Sequence, residues 1–147
     1  MVATDLREEG LAVDLCPARQ VKEVVTYDAV VVGGALYAFR WHHDARRFVK
    51  RHANELRARP TYFFSSGPLD DSAAAKEIPP VKGVQKLMRL VDARSHITFG
   101  GRLSPDAKGF PASAMAKTSA GDWRDPEHVR TWTRSLVADL HRAAQHL

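Results

Sequence analysis

The chain has 147 residues, 44% of them hydrophobic and 27% charged, with a formal net charge of +5 at pH 7. This length suits a single domain over residues 1–147, and no apolar run approaches the ~18 residues that a membrane-spanning helix needs. The basic charge favours anionic partners, but no block of Lys and Arg is interleaved with stacking aromatic residues, so we expect no nucleic-acid partner.

Two features of the sequence bear on the cellular compartment. The first ten residues carry Asp5, Glu8 and Glu9, where a secretory signal would need an apolar segment. The chain has a single cysteine, Cys16, which has no partner for an internal disulfide. We therefore expect a cytoplasmic protein without a signal peptide, in which Cys16 is a buried structural thiol.

Helices and strands are predicted to alternate from the beginning of the chain. Apolar spacing predicts a helix over Val2–Glu9 and then an edge strand over Leu11–Cys16. A continuous apolar run predicts a buried strand over Ala29–Val32, which stops at Gly33. An apolar stripe with basic residues on the remaining surface predicts a helix over His43–Leu56.

The alternation continues in the second half of the chain. The sequence predicts a strand over Pro60–Ser65, a helix over Val81–Ala93 and a strand over Ser95–Phe99. A short helix is predicted over Ala112–Lys117, and Asp125 is a good N-cap for a long closing helix. The whole pattern predicts an α/β fold with a parallel sheet and helices on both faces.

Three of the predicted strands end in loops of small residues, namely Gly33–Trp41, Ser65–Pro68 and Gly100–Leu103. Ligands of open α/β sheets bind beyond the carboxyl ends of the strands, so we expect these loops to share one rim and form the binding site. Glycines let the backbone approach a planar or phosphorylated ligand, and Tyr37 and Trp41 are placed to lie against a flat ring. The alternative, that the glycine pairs are plain turns, stays open.

Side chains that carry chemistry are sparse, and we expect no catalytic residue and no metal. His42 and His43 point in different directions and have no further ligand at metal spacing, although a role near a ligand stays open for His42. Ser65 and Ser66 are interpreted as hydrogen-bond donors, because no base is visible around them that would activate a nucleophile. The other histidines are interpreted as packing or surface residues: His52, His96, His128, His141 and His146.

Four segments, in this order and spacing, resemble a known family: YDAVVVGGALYAFRWHHDARRFVKRH, FFSSGPLDD, HITFGGRL and AGDWRDPEHVRTW. They are similar to the flavodoxin-domain family related to menaquinone-dependent protoporphyrinogen dehydrogenase, over nearly the whole chain from Leu6 onward. The resemblance implies a flavodoxin-like sheet of order 2-1-3-4-5 and noncovalent FMN. It implies these cofactor-binding residues: Gly33, Gly34, Ala35, Tyr37, Trp41, Ser65, Ser66, Gly67, Pro68 and Gly101.

The amino-terminal part departs from the family pattern. Flavodoxin-like chains begin with a strand, a Ser/Thr-rich phosphate-binding loop and a helix, whereas this sequence begins inside that helix. Roughly 20 to 25 residues are therefore expected to be missing, including the central strand between Leu11–Cys16 and Ala29–Val32. We expect FMN binding to be weakened or lost in this form, with a start codon assigned too late as the simplest explanation and a real truncation as the other.

The resulting hypothesis is an FMN-dependent electron-transfer protein or oxidoreductase. The resemblance implies a redox partner or a quinone, and the cofactor would carry the chemistry. The alternative is a flavin-free flavodoxin-like binding module or a nonfunctional truncated product. The arginine-rich outer face of the helix His43–Leu56 is expected to suit an acidic partner or an anionic membrane, while the oligomeric state is left open.

Overall fold

The computed structural model describes residues 1–67, 77–103, 121–122 and 124–145 of the chain. The predicted helix Ala112–Lys117, the candidate residue Pro68 and His146 lie outside these residues. The helices and strands, in chain order, are α1 (Val2–Glu8), β1 (Val30–Tyr37), β2 (Arg40–Trp41), α2 (His43–Arg51), α3 (Ala53–Arg57), β3 (Thr61–Ser66), α4 (Lys82–Val91), β4 (Ser95–Phe99), β5 (Arg102–Leu103), β6 (Gly121–Asp122) and α5 (Pro126–Gln145).

Several predicted elements are confirmed at nearly their predicted bounds. These are α1, β3, α4, β4 and the closing helix α5. The start of α5 follows from its cap, because the carboxylate of Asp125 accepts hydrogen bonds from the backbone N–H groups of Glu127 at 3.0 Å and His128 at 3.3 Å. These bonds satisfy donors that the first turn of a helix leaves unpaired.

The main sheet has four strands in the order β2-β1-β3-β4. Strands β1, β3 and β4 are parallel, so that Val32 lies opposite Phe63 and Phe64 lies opposite Ile97. Helices α2, α3 and α4 cover one face, called the front face below, and α1 and α5 cover the other, called the back face. An α/β fold with a parallel core and helices on both faces is therefore confirmed.

A separate hydrophobic core lies on each face of the sheet. Along β3 the side chains alternate, with Phe63 in the front core and Tyr62 and Phe64 on the back, as the period of two of a strand requires. The front core also contains Trp41, Phe48, Val49, Leu56, Val84, Leu87 and Val91. The back core also contains Leu6, Phe99, Val129, Trp132, Leu136 and Val137. Full burial of each large apolar side chain contributes roughly 1.5–3 kcal/mol.

The prediction that the first buried strand stops at Gly33 is wrong. Strand β1 continues through both glycines to Tyr37, turns at Ala38 and Phe39, and pairs with β2 in the antiparallel sense. The sheet is therefore mixed. The strand continues because the missing side chains of the two glycines leave room for neighbouring aromatic rings, which cover the strand at these positions.

The predicted edge strand Leu11–Cys16 is not formed. Leu11 and Val13 do pack against the back core, but the carbonyl of Val13 accepts a hydrogen bond from the Arg7 guanidinium at 2.9 Å instead of a strand partner. Cys16 is exposed, which corrects the expectation of a buried thiol. Within the described residues, the outer edge of β1 from Val30 to Gly34 pairs with no strand.

Two further differences concern short elements. The predicted helix His43–Leu56 is divided at His52, where φ and ψ are −106° and 24°. Backbone hydrogen bonds from His52 to Phe48 and from Leu56 to His52 keep α2 and α3 nearly continuous. Strands β5 and β6 form an antiparallel pair that the sequence did not predict. None of the helices in the described residues is both long enough and apolar enough to cross a membrane.

Candidate functional site

The carboxyl ends of β1, β3 and β4 meet at one rim of the sheet. Ala35 lies opposite Ser66, and Ser66 lies opposite Phe99. Just beyond the strands, the backbone N–H of Gly67 donates to the carbonyl of Phe99 at 3.2 Å. The rim that the sequence predicted from parallel strands is thus a continuous surface made by three segments of the chain.

Two glycines allow the rim segments to approach one another. A β-carbon added at Gly67 would lie only 2.8 Å from the β-carbon of Leu36 in β1. A β-carbon added at Gly101 would lie 3.4 Å from the backbone nitrogen of Gly67. The segments after β3 and β4 therefore touch through bare backbone.

Gly33 and Gly34 lie inside strand β1 and not in the loop beyond it, where the sequence predicted them. A β-carbon on Gly34 would come within 2.6 Å of the Trp41 ring on the front face. On the back face, a β-carbon on Gly33 would collide with the tip of the Phe64 ring. These two glycines therefore leave room for aromatic rings of the protein itself, with Gly34 buried and Gly33 still exposed.

Trp41 and Ser65 are brought together, but below the rim and not on it. The two residues are 2% and 1% exposed, so both are buried in the absence of a ligand. The indole N–H of Trp41 donates to Ser65 Oγ at 2.8 Å, and the Trp41 ring packs against Phe63 with centroids 4.9 Å apart. Both residues lie beneath the neighbouring rim residues and help to hold them in place.

His96 extends this buried polar chain. Its Nε2 atom lies 2.8 Å from Ser65 Oγ, while its Nδ1 atom is buried and has no hydrogen-bond partner among the described residues. Burial lowers the pKa of His96 to about 4, so the ring is neutral near pH 7. Sequence reasoning missed this pair, because Ser65 and His96 come together only through the register of two parallel strands.

Phe39 is the most exposed large apolar side chain of the rim, at 85%. It sits in the tight turn between β1 and β2, where Ala38 and Phe39 have φ values of 50° and 62°. Such left-handed backbone is disfavoured for residues with a β-carbon, and hairpin turns of this kind usually contain Asn and Gly. The sequence Ala-Phe carries no turn signal, which explains why the hairpin and the exposed ring were not predicted.

The remaining candidates lie at or near the rim. Ala35, Tyr37 and Ser66 are half-buried residues at the strand ends, and Gly67 and Gly101 form the backbone contact between the neighbouring segments. With Phe39, the rim therefore offers an aromatic side, a hydroxyl group and the half-buried backbone of Gly67.

Two histidines lie at helix starts near this end of the sheet. His42 caps α2, because its Nδ1 atom accepts a hydrogen bond from the backbone of Asp44 at 3.1 Å. His128, in the first turn of α5, packs edge-on against Phe99 with ring centroids 5.1 Å apart. In the described part of the chain, no group of three or more His, Cys, Asp or Glu side chains is arranged as metal ligands would be.

An open depression of about 490 Å³ lies between α1 and the start of α5. It is lined by Met1, Thr4, Asp5, Glu8, Asp122, Arg124, Pro126 and Arg130. Both of its arginines already pair with carboxylates, Arg124 with Asp122 at 2.7 Å and Arg130 with Glu127. This mixed lining does not single out one class of ligand, so the rim remains the candidate site.

Known proteins resemble this chain in sequence. Protoporphyrinogen IX dehydrogenase [quinone] from Escherichia coli strain K12 is 32% identical over 66 residues, which cover 44% of this chain. The proteins of the same name from Escherichia coli strain CFT073 and from Escherichia coli O157:H7 match to the same extent. The match spans 36% of the length of these relatives.

Comparisons at the level of structure and family give different results. No solved structure gives a significant match to the chain. The sequence model of the flavodoxin domain, in contrast, matches residues 1–116. This stretch contains the parallel strands and the rim described above. The chain therefore belongs to the flavodoxin domain family.

Proposed function

We propose that the chain binds FMN at the rim and acts as a flavin-dependent oxidoreductase in electron transfer. The observation that carries this proposal is the backbone contact of Gly67 with Gly101 beside the end of β1, at the carboxyl ends of three parallel strands. Membership of the flavodoxin domain family supports a flavin as the ligand of such a rim.

The residues of the rim fit the ring portion of a flavin. Peptide groups at Gly67 and Gly101 can approach a planar ring closely, and the aromatic side chains of Tyr37 and Phe39 can cover part of it. We assign no phosphate contact, because none of the helices at this rim opens with a Ser/Thr-rich loop in the described residues.

A bound flavin would supply hydride or single-electron chemistry, and the protein would supply position and environment. Ser66 offers a hydroxyl group at the rim, and the buried chain from Trp41 through Ser65 holds the segment that carries Tyr37 in place. Because burial lowers the pKa of His96 to about 4, the ring of His96 beneath the rim is uncharged at neutral pH. No nucleophile is required.

The name of the Escherichia coli relatives includes a quinone, and we propose a quinone as the electron acceptor of this chain as well. A quinone is flat and largely apolar, and the exposed ring of Phe39 offers a matching contact. The single exposed cysteine fits a reducing compartment, so we place the flavoprotein in the cytoplasm.

The proposal is tested by titrating the purified 147-residue chain into FMN and recording flavin fluorescence and visible absorbance. A Gly67→Ala variant should weaken binding about tenfold, equivalent to about 1.4 kcal/mol, because its β-carbon would lie only 2.8 Å from that of Leu36 and would push the rim segments apart. Gly83→Ala is the matched control. A β-carbon at Gly83 meets nothing within 4 Å, so this variant should bind like the parent.

Two outcomes separate the alternatives. If the chain changes neither the fluorescence nor the absorbance of FMN, the flavoprotein proposal fails and a flavin-free binding module remains. Riboflavin, which lacks the phosphate, should bind nearly as well as FMN if the ring carries the affinity.

The quinone proposal is tested with flavin that is bound to the chain and chemically reduced. If a quinone is the acceptor, added menadione should restore the oxidised flavin spectrum faster for the bound flavin than for free reduced flavin.

A further inference from the structure

The two helical layers differ sharply in charge. Helices α2, α3 and α4 on the front face carry eight Lys and Arg residues against two carboxylates, a net charge of +6. Helices α1 and α5 on the back face carry four of each sign and are neutral. The excess positive charge of the protein is therefore concentrated on one side of the sheet.

The cations of the front face are also free of ion pairs. Seven of them are exposed, and in the described residues none has a carboxylate within 4.0 Å: Arg47, Lys50, Arg51, Arg57, Lys82, Lys86 and Arg89. Every arginine–carboxylate pair of the described chain instead involves the back helices or the segment just before α5. These seven residues, called the basic patch below, keep their charges available for an external anion.

The basic patch extends over three neighbouring helices. Helices α2, α3 and α4 pack side by side on the same core, and Arg57 at the end of α3 donates to the carbonyl of Leu90 in α4 at 3.2 Å. The stretch from His43 to Arg57 is about 22 Å long at 1.5 Å per helical residue, and neighbouring helices lie about 8–10 Å apart. The cations are spread over this area and do not converge on one point.

The apolar content of the patch distinguishes between classes of partner. Leu90, which is 44% exposed, is the one large apolar side chain exposed on the described front helices. Tight protein interfaces need a desolvated cluster of apolar or aromatic anchors, which a single leucine does not provide. Single-stranded nucleic acid needs exposed stacking rings, but Trp41 and Phe48 of this face are buried. Binding to a diffuse negatively charged surface requires neither apolar anchors nor exposed aromatic rings.

We propose that the basic patch docks the protein on the surface of a membrane that contains anionic lipids. Each Lys or Arg near such a surface contributes by Coulomb attraction, without a fixed geometry and without insertion of the fold. The side chain of Leu90 provides a small apolar contact between the cations. This inference does not depend on flavin binding, because it rests only on the charges and the packing of α2, α3 and α4.

The test is co-sedimentation of the full chain with vesicles at low ionic strength. Vesicles of phosphatidylcholine with phosphatidylglycerol should bring the protein down, while vesicles of phosphatidylcholine alone should not. Added salt should release the protein, because exposed charges are screened within about 8–10 Å at physiological ionic strength. The double variant Lys86→Gln with Arg89→Gln should bind roughly 10- to 30-fold more weakly, since two surface cations are lost.

The matched control removes the same charge from the opposite side of the protein. Arg134→Gln with Arg142→Gln changes two arginines of α5, whose guanidinium groups already pair with Glu9 and Asp139. This variant should retain most of the binding, and circular dichroism should show that both variants are folded. Equal losses in the two double variants would overturn the proposal, because binding would then follow net charge and not the basic patch.

Two more results would contradict membrane docking. Binding that is insensitive to salt or to lipid charge would exclude the electrostatic contact. If the chain ignores anionic vesicles but binds polyglutamate or duplex DNA in the same buffer, the patch serves an acidic protein or a nucleic acid instead.

Discussion

The front and back faces of the sheet are stabilised in different ways. The back face uses its charges internally, because Asp139 of α5 accepts hydrogen bonds from the Tyr62 hydroxyl and from Arg94, the latter at 3.1 Å. The front face instead contains a buried neutral chain from Trp41 through Ser65 to His96. A face that is held by packing and hydrogen bonds, with no Lys or Arg of its described helices in an ion pair, can leave its surface charges free for a partner, whereas a face with paired charges cannot.

The two polar networks also respond to pH in different ways. On the back face, burial raises the pKa of Tyr62 well above its ordinary value, and the hydrogen bond to Asp139 raises it further. The same hydrogen bond from Tyr62, together with Arg94, lowers the pKa of Asp139. On the front face, burial lowers the pKa of His96 to about 4. As the pH falls, the front network should therefore be weakened at a higher pH than the back network.

The largest expected effect comes from Trp41 at the centre of the front core. Trp41→Ala should lower the free energy of unfolding by about 3–5 kcal/mol, because it removes a buried ring and leaves Ser65 without its indole donor. Trp132→Ala is the counterpart on the back face, where the ring is 7% exposed and makes no hydrogen bond to a described residue. Urea denaturation should show the smaller loss for Trp132→Ala; the reverse order would contradict the importance of the front network.

The next effect is the pH dependence of the front face. The unfolded chain takes up a proton on His96 near pH 6.5, but the folded chain does so only near pH 4, so stability should fall as the pH drops through this window. The loss should amount to about 2 kcal/mol after allowance for partial exposure of the ring. His96→Gln keeps a polar group beside Ser65 but cannot titrate. Thermal melts of this variant should lose less stability between these pH values than melts of the parent.

Alanine substitutions at the two adjacent glycines of β1 test how firmly the aromatic rings are held on the two faces of the sheet. Gly34→Ala should cost about 1–3 kcal/mol, because the new group would overlap the buried and hydrogen-bonded Trp41 ring. Gly33→Ala should cost less, since the obstacle is the free end of Phe64, a half-buried side chain that can move. Urea denaturation midpoints, compared at a common m-value, give the change in the free energy of unfolding for both variants. Equal costs would mean that the front ring is no more firmly held than the back one.

The smallest effect concerns the charge of Asp139. Asp139→Asn should cost about 1 kcal/mol at neutral pH, because Tyr62 keeps an acceptor but Arg94 loses its ion pair. The folded state lowers the pKa of this carboxyl, so its contribution is complete above about pH 4 and is lost as the pH falls through the folded value. The difference between the parent and the variant should therefore shrink in acid. A constant difference down to pH 2 would exclude the ion pair as its source.

Much of the fold could be predicted where the local pattern is strong. The apolar spacing of α4 and the cap at Asp125 fixed two helices, and the β-prone run in β3 fixed a central strand. Prediction failed where a segment can form a strand only beside another strand that pairs with it. The residues Leu11–Cys16 alternate like a strand, but alternation stabilises a strand only if another strand accepts its backbone hydrogen bonds, and none in the described residues does so.

Some features of the rim could be predicted from the sequence, and others could not. The sequence indicated that small residues follow three parallel strands, and it thereby located the rim formed by Gly67 and Gly101. Only the tertiary structure decided that Gly33 and Gly34 accommodate aromatic rings, that Trp41 is buried and that Phe39 is exposed. The reason is that exposure depends on what packs against a side chain from distant parts of the chain.

What the sequence determined by itself is most of the longer helices, the central parallel strands and the excess of positive charge, since these depend on residue type and on spacing along the chain. Tertiary structure decided where that charge lies and which polar groups meet. It gathered the cations of α2, α3 and α4 on one face without carboxylate partners, and it brought Ser65 beside His96 through strand register. Both outcomes follow from contacts between residues far apart in the chain, which local spacing does not encode.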